Sequence, residues 1–366
     1  MPYYLLIVAD PETIPFSFQY LLDVQYAVGR IHFETVGEYA RYARSVVEAE
    51  TRPSRLPRRA VFFGAKNPDD RTTAMTADHL IGPLADWLKV SKPQWDVRTV
   101  MGESATKSKL GQLLGGDETP SLIFTACHGM AWPNGHEMQL ANQGALLCQD
   151  WPGSTWGKAI PPEFFFAASD VPDEAQVSGL ISFFWSCFSA GVPRLDEYTM
   201  NSWETANAKE LAPRSFLTRL PERLLGHPRG GALAVIGRVD RCWNYSFMEG
   251  GVGRNIGVFA NALRRLIEGC PVGFAMEDFN RRYVELASEF VGVLQEQELG
   301  AVRDNMEITK LKTSLRDAKN YLIIGDPAVR LSAAGGEEGR SSGESFAAFL
   351  NRRPESVPDR WPLFSL

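Results

Sequence analysis

Two segments of the sequence, LIFTACHG at residues 122–129 and LISFFWSC at residues 180–187, decide how the chain is expected to fold. Each is a nearly continuous apolar run that ends on one reactive side chain, His128 or Cys187. Continuous apolar strands are typical of a parallel sheet that helices cover on both faces. The two segments therefore predict buried strands, each followed at its carboxyl end by a reactive residue.

Similar apolar runs, separated by turns and amphipathic stretches, recur along most of the chain. Such an alternation of strands and helices predicts an α/β fold with a mostly parallel sheet flanked by helices. One helix is expected at residues 36–48 and another around residues 259–267, because their apolar residues repeat at helical spacing. The predicted strands are residues 3–9, 60–64, 97–101, 122–127, 180–185, 232–236 and 321–324.

The length of 366 residues and the apolar content of 44% are enough for one large domain or two modest ones. The glycine-rich stretch at residues 111–120 predicts a boundary between two units. We expect a smaller N-terminal α/β subdomain over 1–112 and a larger subdomain over 113–333. Residues 334–366 combine a linker-like composition with an apolar end, which predicts a tail that docks on this chain or on another.

The composition argues against several classes of function. A net charge of −6 gives no electrostatic reason to bind nucleic acid or an anionic membrane. No GxxxxGK[ST] or GxSxG motif is present, and the stretch GGVGRNIG at residues 250–257 lacks the GxGxxG spacing. The five cysteines form no CxxC pair, and the histidines match no common zinc spacing. We therefore predict neither a metal nor a cofactor.

The amino-terminal apolar run is interrupted by Asp10 and Pro11 and has no basic residues before it. It is too short for a signal peptide or a membrane span. We expect a cytoplasmic protein with reduced thiols.

His128 and Cys187 can act together as an acid–base group and a nucleophile if their strands pair. The carboxyl ends of parallel strands form the edge at which open α/β sheets bind ligands, and paired strands lie about 4.8 Å apart. An imidazolium beside a thiol lowers the pKa of that thiol and favours a nucleophilic thiolate. Because Gly129 has no Cβ, its N–H can approach an oxyanion, with the Cys187 N–H as a second donor.

Each of these residues alone is more often structural than catalytic, since cysteines at strand ends are usually inert core thiols. Their order favours catalysis. His128 lies 59 residues before Cys187, and caspases place their histidine about 50 residues before the cysteine.

The sequence resembles the gingipain-type (C25) branch of the caspase-fold cysteine peptidases and, more loosely, bacterial CHAT domains. The similarity covers about residues 3 to 332. It is carried by LLIVADPETIPF with VGRIHFETVGEYARYARSVVEAE (5–16 and 28–50), TACHGMAW (125–132), ISFFWSCFSAG (181–191), VIGRVDRCWNYSF (235–247) and YLIIGDPAVRL (321–331).

The resemblance implies a caspase-like (caspase-hemoglobinase) fold, with residues 113–333 as the catalytic subdomain. It implies Cys187 as the nucleophile, His128 as the general acid and base, and the Gly129 N–H as an oxyanion donor. Trp243 is implied as a wall of the primary specificity pocket.

The sequence departs from that family at two places. Ala74 or Met75 stands where arginine-specific gingipains have an acid, and Lys66 stands near the expected place of the acid that orients the histidine. The family's secretory signal and prodomain are also missing. This predicts an intracellular protease regulated by a partner protein or a fused sensor through the C-terminal tail.

We therefore predict a cysteine endopeptidase that cleaves protein or peptide substrates through a Cys–His dyad and a thioester acyl-enzyme. Two alternatives stay open: a catalytically silent caspase-like scaffold used for binding or regulation, and a small-molecule amidase with a closed pocket.

The substrate residue before the scissile bond (P1) has three candidates. Asp240 in the pocket predicts a basic P1 and Arg241 an acidic one, whereas a neutral or apolar P1 is expected if neither charge is available. If the strand at 232–236 continues, Asp240 points away from Arg241.

Overall fold

The computed structural model describes residues 2–52, 56–198, 208–249, 253–254 and 256–331. Within this part of the chain, one eight-stranded sheet forms the centre of the molecule, in the order β1-β2-β8-β7-β6-β5-β3-β4. The pair β7–β8 is antiparallel and the other pairs are parallel. The strands are β1 (Tyr4–Val8), β2 (Ala27–Ile31), β3 (Arg59–Gly64), β4 (Asp96–Met101), β5 (Leu122–Ala126), β6 (Ile181–Trp185), β7 (Ala234–Arg238) and β8 (Tyr321–Gly325).

Helices cover both faces of this sheet, and three two-stranded ribbons border it in the described residues. The helices are α1 (Phe16–Leu22), α2 (Val36–Thr51), α3 (Arg71–Thr76), a π-helical turn (Ala77–Ile81), α4 (Gly82–Ser91), α5 (Lys107–Leu113), α6 (Gln139–Asn142), α7 (Arg219–Leu225), α8 (Gly257–Ile267), α9 (Val272–Ala275), α10 (Glu277–Glu298) and α11 (Asn305–Lys319). The ribbons pair Leu146–Leu147 with Phe165–Phe166, Gly191–Val192 with Phe216–Leu217, and Met248–Glu249 with Gly253–Arg254.

The core consists of two apolar clusters, one on each face of the sheet. Helices α2, α5 and α7 contribute to one cluster, and α4, α8 and α10 contribute to the other. In the second cluster the rings of Phe124 and Phe183 lie 4.8 Å apart, and Phe183 also contacts Phe259 and Phe279. Burial on both faces explains why these strands have near-continuous apolar sequences.

The predicted α/β architecture, with a mostly parallel sheet between helices, is confirmed. All seven predicted strands are present, with ends that differ by up to two residues. The division at residue 112 stays a prediction, and β3 from the first segment pairs directly with β5 from the second. Residues 334–366 lie outside the described residues.

Strand β2 was not predicted because its sequence, AVGRI, includes a glycine and a charged residue. Arg30 is fully buried there. Its guanidinium donates to the Gln19 side chain at 3.0 Å and to the Ala9 carbonyl at 3.1 Å, and it lies over the ring of Phe16. Burial lowers the pKa of Arg30 to about 10. These partners offset the cost of burying a cation in a central strand.

Candidate active site

Strands β5 and β6 pair in parallel, with Ala126 opposite Trp185. His128 lies two residues after Ala126, and Cys187 lies two residues after Trp185. The pairing on which their predicted proximity depends is therefore confirmed. Both residues lie at the carboxyl edge of the sheet, where open α/β folds bind ligands.

The side chain of His128 is held by Asp70, which lies in the connection after β3, the other neighbour of β5. His128 Nε2 is hydrogen-bonded to Asp70 Oδ2. The other carboxylate oxygen of Asp70 accepts from the Thr72 N–H at 2.9 Å and so caps α3. One oxygen of the Asp70 carboxylate thus caps α3, and the other orients the imidazole of His128.

Sequence reasoning missed Asp70 because it sought this acid near Lys66. Lys66 instead pairs with Asp78 at 2.9 Å on the surface. The signal that could have found Asp70 is its position: it directly precedes a helix and follows a strand that ends beside β5.

The interaction with Asp70 favours the charged imidazole. Burial lowers the pKa of His128, but the hydrogen bond and negative charge of Asp70, together with the charge of Cys187, outweigh it and raise the pKa. Because a carboxylate accepts at Nε2, that nitrogen carries a proton. Nδ1 is then the ring nitrogen that does not contact Asp70.

The sulfur of Cys187 lies in an environment that stabilises its thiolate. The pKa of Cys187 is lowered to about 6, chiefly by a hydrogen bond from the Cys242 side chain. Burial opposes this shift, whereas the Cys242 backbone N–H and the positive charges of His128 and Arg238 reinforce it. The Cys242 N–H donates to Cys187 Sγ at 3.3 Å. These contacts favour the thiolate form of Cys187.

Gly129 lies against the backbone of Cys187. A Cβ added at position 129 would lie 1.8 Å from the Cys187 carbonyl oxygen, so only glycine fits without displacing the loop. Within the described part of the chain, neither the Gly129 N–H nor the Cys187 N–H donates a hydrogen bond. Two backbone donors are thus available beside the thiolate.

A buried ion pair supports the loop after β7. The Asp317 carboxylate accepts hydrogen bonds from Arg238, from the Ser246 hydroxyl and, at 3.1 Å, from the Trp243 N–H. Arg238 is fully buried, and its guanidinium lies 4.1 Å from the centroid of the Tyr321 ring. This network fixes the backbone of the residues that follow Cys242.

Trp243 is 39% exposed, an unusual position for such a large apolar side chain. Its ring lies 5.6 Å from that of Tyr198. The next residue, Asn244, lies 3.9 Å from the sulfur of Met75. Tyr198 and Met75 therefore lie close to the segment in which Trp243 is expected to form a wall of the specificity pocket.

Asp240 and Arg241, the two charged candidates for that pocket, are already engaged. Strand β7 ends at Arg238 and Asp240 has a φ of 76°, so the alternation that would separate Asp240 from Arg241 does not extend this far. Arg241 makes two hydrogen bonds of 2.8 Å to Asp196 and lies 3.5 Å from Asp240. Burial raises the pKa of Asp240 to about 7, and Arg241 partly counteracts this.

In the described residues, no group of three or more histidine, cysteine or acidic side chains is arranged to hold a metal ion. None of the helices in this part of the chain is long and apolar enough to cross a membrane.

Comparisons with known proteins identify a family. The model of peptidase family C25 matches residues 2–332. Among curated proteins, none matches the chain.

Solved structures that are similar to the chain include the following three. The arginine-specific cysteine proteinase gingipain R (RgpB) has 10% identity and a TM-score of 0.47. A complex of the pro- and mature domains of RgpB from Porphyromonas gingivalis has 12% identity and a TM-score of 0.48. A structure described as a protease has 10% identity and a TM-score of 0.49. These similarities cover 90%, 90% and 91% of this chain but only 64%, 65% and 65% of those chains.

The family match extends over nearly the whole chain and agrees with the resemblance that the sequence motifs indicate. The chain therefore belongs to peptidase family C25, the gingipain family of cysteine peptidases, which are hydrolases.

Proposed function

We propose that this protein is a cysteine endopeptidase in which Cys187 attacks the peptide carbonyl and His128 transfers the protons. The observation that carries this proposal is the Asp70–His128 pair at the end of β5, beside the lowered-pKa thiol at the end of the adjacent strand β6. A positioned acid, a base and an ionised nucleophile are what acyl transfer requires.

Acylation begins with attack of the Cys187 thiolate on the carbonyl carbon. The carbonyl oxygen becomes an oxyanion, and the N–H groups of Gly129 and Cys187 stabilise it. The imidazolium of His128 then donates its Nδ1 proton to the leaving amine. The C–N bond breaks, the amine departs and a thioester remains on Cys187.

Deacylation reverses the proton transfer. Neutral His128 takes a proton from water at Nδ1, and the resulting hydroxide attacks the thioester carbonyl. The same two backbone N–H groups stabilise the second oxyanion. Cys187 leaves as a thiolate and the carboxylic acid product is released. Throughout, Asp70 keeps the imidazole oriented and favours its charged form.

We further propose a neutral or apolar P1 residue, with Trp243 as a wall of its pocket. Asp196 offsets the charge of Arg241, which weakens the case for an acidic P1. Asp240 is buried, and its pKa of about 7 leaves it partly protonated at neutral pH, which weakens the case for a basic P1.

Three further expectations stay predictions: regulation through residues 334–366 by a partner protein or a fused sensor, the looser likeness to CHAT domains, and a cytoplasmic location. Residues 334–366 lie outside the described residues.

Removal of either reacting group tests the proposed function. We expect Cys187→Ala and His128→Ala each to reduce kcat for cleavage of a fluorogenic peptide library by at least about 100-fold, because each removes an essential step. The double variant should be hardly worse, since the two residues act as a unit. Cys270→Ala, which changes a thiol outside the site, is the control. Full activity in either single variant would contradict the assignment, and a folded wild type that cleaves no library peptide would favour the silent scaffold.

The role of Asp70 is tested by the pH dependence of iodoacetamide alkylation at Cys187. In the wild type the rate should fall as pH decreases through about 6, because only the thiolate reacts. Asp70→Asn keeps a residue that can cap α3 but removes the negative charge beside His128. The imidazolium is then less stable, so the midpoint for Cys187 should move to higher pH and kcat should fall. Asp78→Asn, at the surface pair with Lys66, should leave the midpoint unchanged. Equal midpoints in wild type and Asp70→Asn would show that Asp70 does not support the dyad.

P1 selection is measured with matched peptides that differ at P1 alone. We expect kcat/KM to be about tenfold higher for leucine or methionine than for arginine or glutamate, a difference of ~1.4 kcal/mol. Asp240→Asn should not change this order, whereas Asp196→Asn removes the negative charge that makes two hydrogen bonds to Arg241, leaves Asp240 as its neighbouring acid, and should raise cleavage after glutamate. An arginine preference that Asp240→Asn abolishes would overturn the proposal and assign Asp240 as the selector.

A further inference from the structure

Cys242 is a second thiol in direct contact with Cys187. Cys187 follows β6 and Cys242 follows β7, and these strands pair in parallel. Beyond the strand ends the two segments stay hydrogen-bonded: the Phe188 N–H donates to the Asp240 carbonyl at 2.8 Å. The Cys242 backbone N–H donates to Cys187 Sγ at 3.3 Å, and the Cys242 side chain helps to lower the pKa of Cys187. Both are partly exposed.

The two thiols differ in reactivity. Cys187 is the more acidic of the pair, whereas burial and the interaction with Cys187 raise the pKa of Cys242 well above its usual range. A low-pKa thiol beside a second thiol is the arrangement found in redox-sensitive cysteine pairs. In the proposed peptidase chemistry, Cys242 helps to lower the pKa of Cys187, but its sulfur forms and breaks no bond.

We propose that hydrogen peroxide converts Cys187 and Cys242 into an intramolecular disulfide, with Cys242 as the resolving residue. The Cys187 thiolate attacks one peroxide oxygen, the O–O bond breaks, and Cys187 sulfenic acid and hydroxide form. The Cys242 sulfur then attacks the Cys187 sulfur, and its proton leaves with the hydroxyl group as water. Two electrons pass from the two sulfurs to one peroxide, which ends as one hydroxide ion and one water.

The bond would remove the Cys187 thiolate and protect it from irreversible oxidation to sulfinic or sulfonic acid. A dithiol would restore both thiols by exchange. The effect on peptide cleavage rests on the proposed function, whereas formation of the disulfide does not.

Cys127 is the competing partner, because its charge also interacts with that of Cys187. It is 5% exposed and packs in the apolar cluster on one face of the sheet. Burial raises the pKa of its thiol above that of an ordinary cysteine. Cys127 is therefore less able to reach a sulfenic acid at the sheet edge.

The proposal is tested by treating the full chain with hydrogen peroxide, blocking free thiols and mapping peptides without reduction. In the wild type we expect a mass loss of two hydrogens in the linked pair of peptides that carry Cys187 and Cys242. Peptidase activity should fall in parallel and return with dithiothreitol. Cys270→Ser is the matched control and should behave as the wild type.

In Cys242→Ser no such link forms, so Cys187 should proceed to sulfinic acid. The activity of the peroxide-treated Cys242→Ser variant, measured relative to the untreated variant, should not return with dithiothreitol. A link between Cys187 and Cys127, or oxidation of Cys187 in the wild type without any link, would overturn the proposal. If the Cys187–Cys242 link forms in a chain that cleaves no peptide, the disulfide proposal stands and the peptidase proposal fails.

Discussion

The parallel pairing of β5 with β6 is the constraint on which the candidate site depends. Ala126 lies opposite Trp185, and each segment continues for two more residues to reach His128 or Cys187 at one edge of the sheet. A slip of one residue would turn every side chain of a strand to the other face. The two apolar clusters prevent that slip, because both faces of these strands are packed against helices. The packing of the sheet thus fixes the position of the thiol relative to the imidazole.

A second constraint comes from the buried pair of Arg238 and Asp317. Ion pairs of this kind add little net stability over an apolar core, but loss of one partner leaves an uncompensated buried charge. Here Asp317 also accepts a hydrogen bond from the Trp243 N–H. The N–H of the adjacent residue, Cys242, donates to the sulfur of Cys187. The pair therefore connects the shape of the expected specificity pocket to the electrostatics of the nucleophile.

The elements predicted from sequence are those that a local pattern encodes. Six of the seven predicted strands have apolar runs long enough to be recognised, and His128 and Cys187 stand two residues after the ends of two of them. The seventh, VRTVM at residues 97–101, is marked by its β-branched residues. Strand β2 escaped recognition because Arg30 interrupts it, and the groups that satisfy that guanidinium come from elsewhere in the fold.

The same reason explains the site residues that were missed. Asp70 reaches His128 across 58 positions of sequence, and Asp317 reaches Arg238 across 79. No spacing rule encodes such contacts, since they exist only once the sheet has formed. The surroundings of Asp240 could not be predicted from the sequence either, because Asp240 lies beyond the end of β7 and has a positive φ.

In the proposed mechanism Cys187 carries the acyl group of the substrate, and trapping this intermediate tests that role. Wild-type protein is mixed with a peptide ester, quenched in acid within milliseconds and analysed by intact and peptide mass spectrometry. This mechanism requires that the protein mass increase by the acyl portion of the substrate, on the peptide that contains Cys187, and that hydroxylamine remove this adduct. Turnover of the ester with no adduct, or an adduct on any other residue, would contradict it.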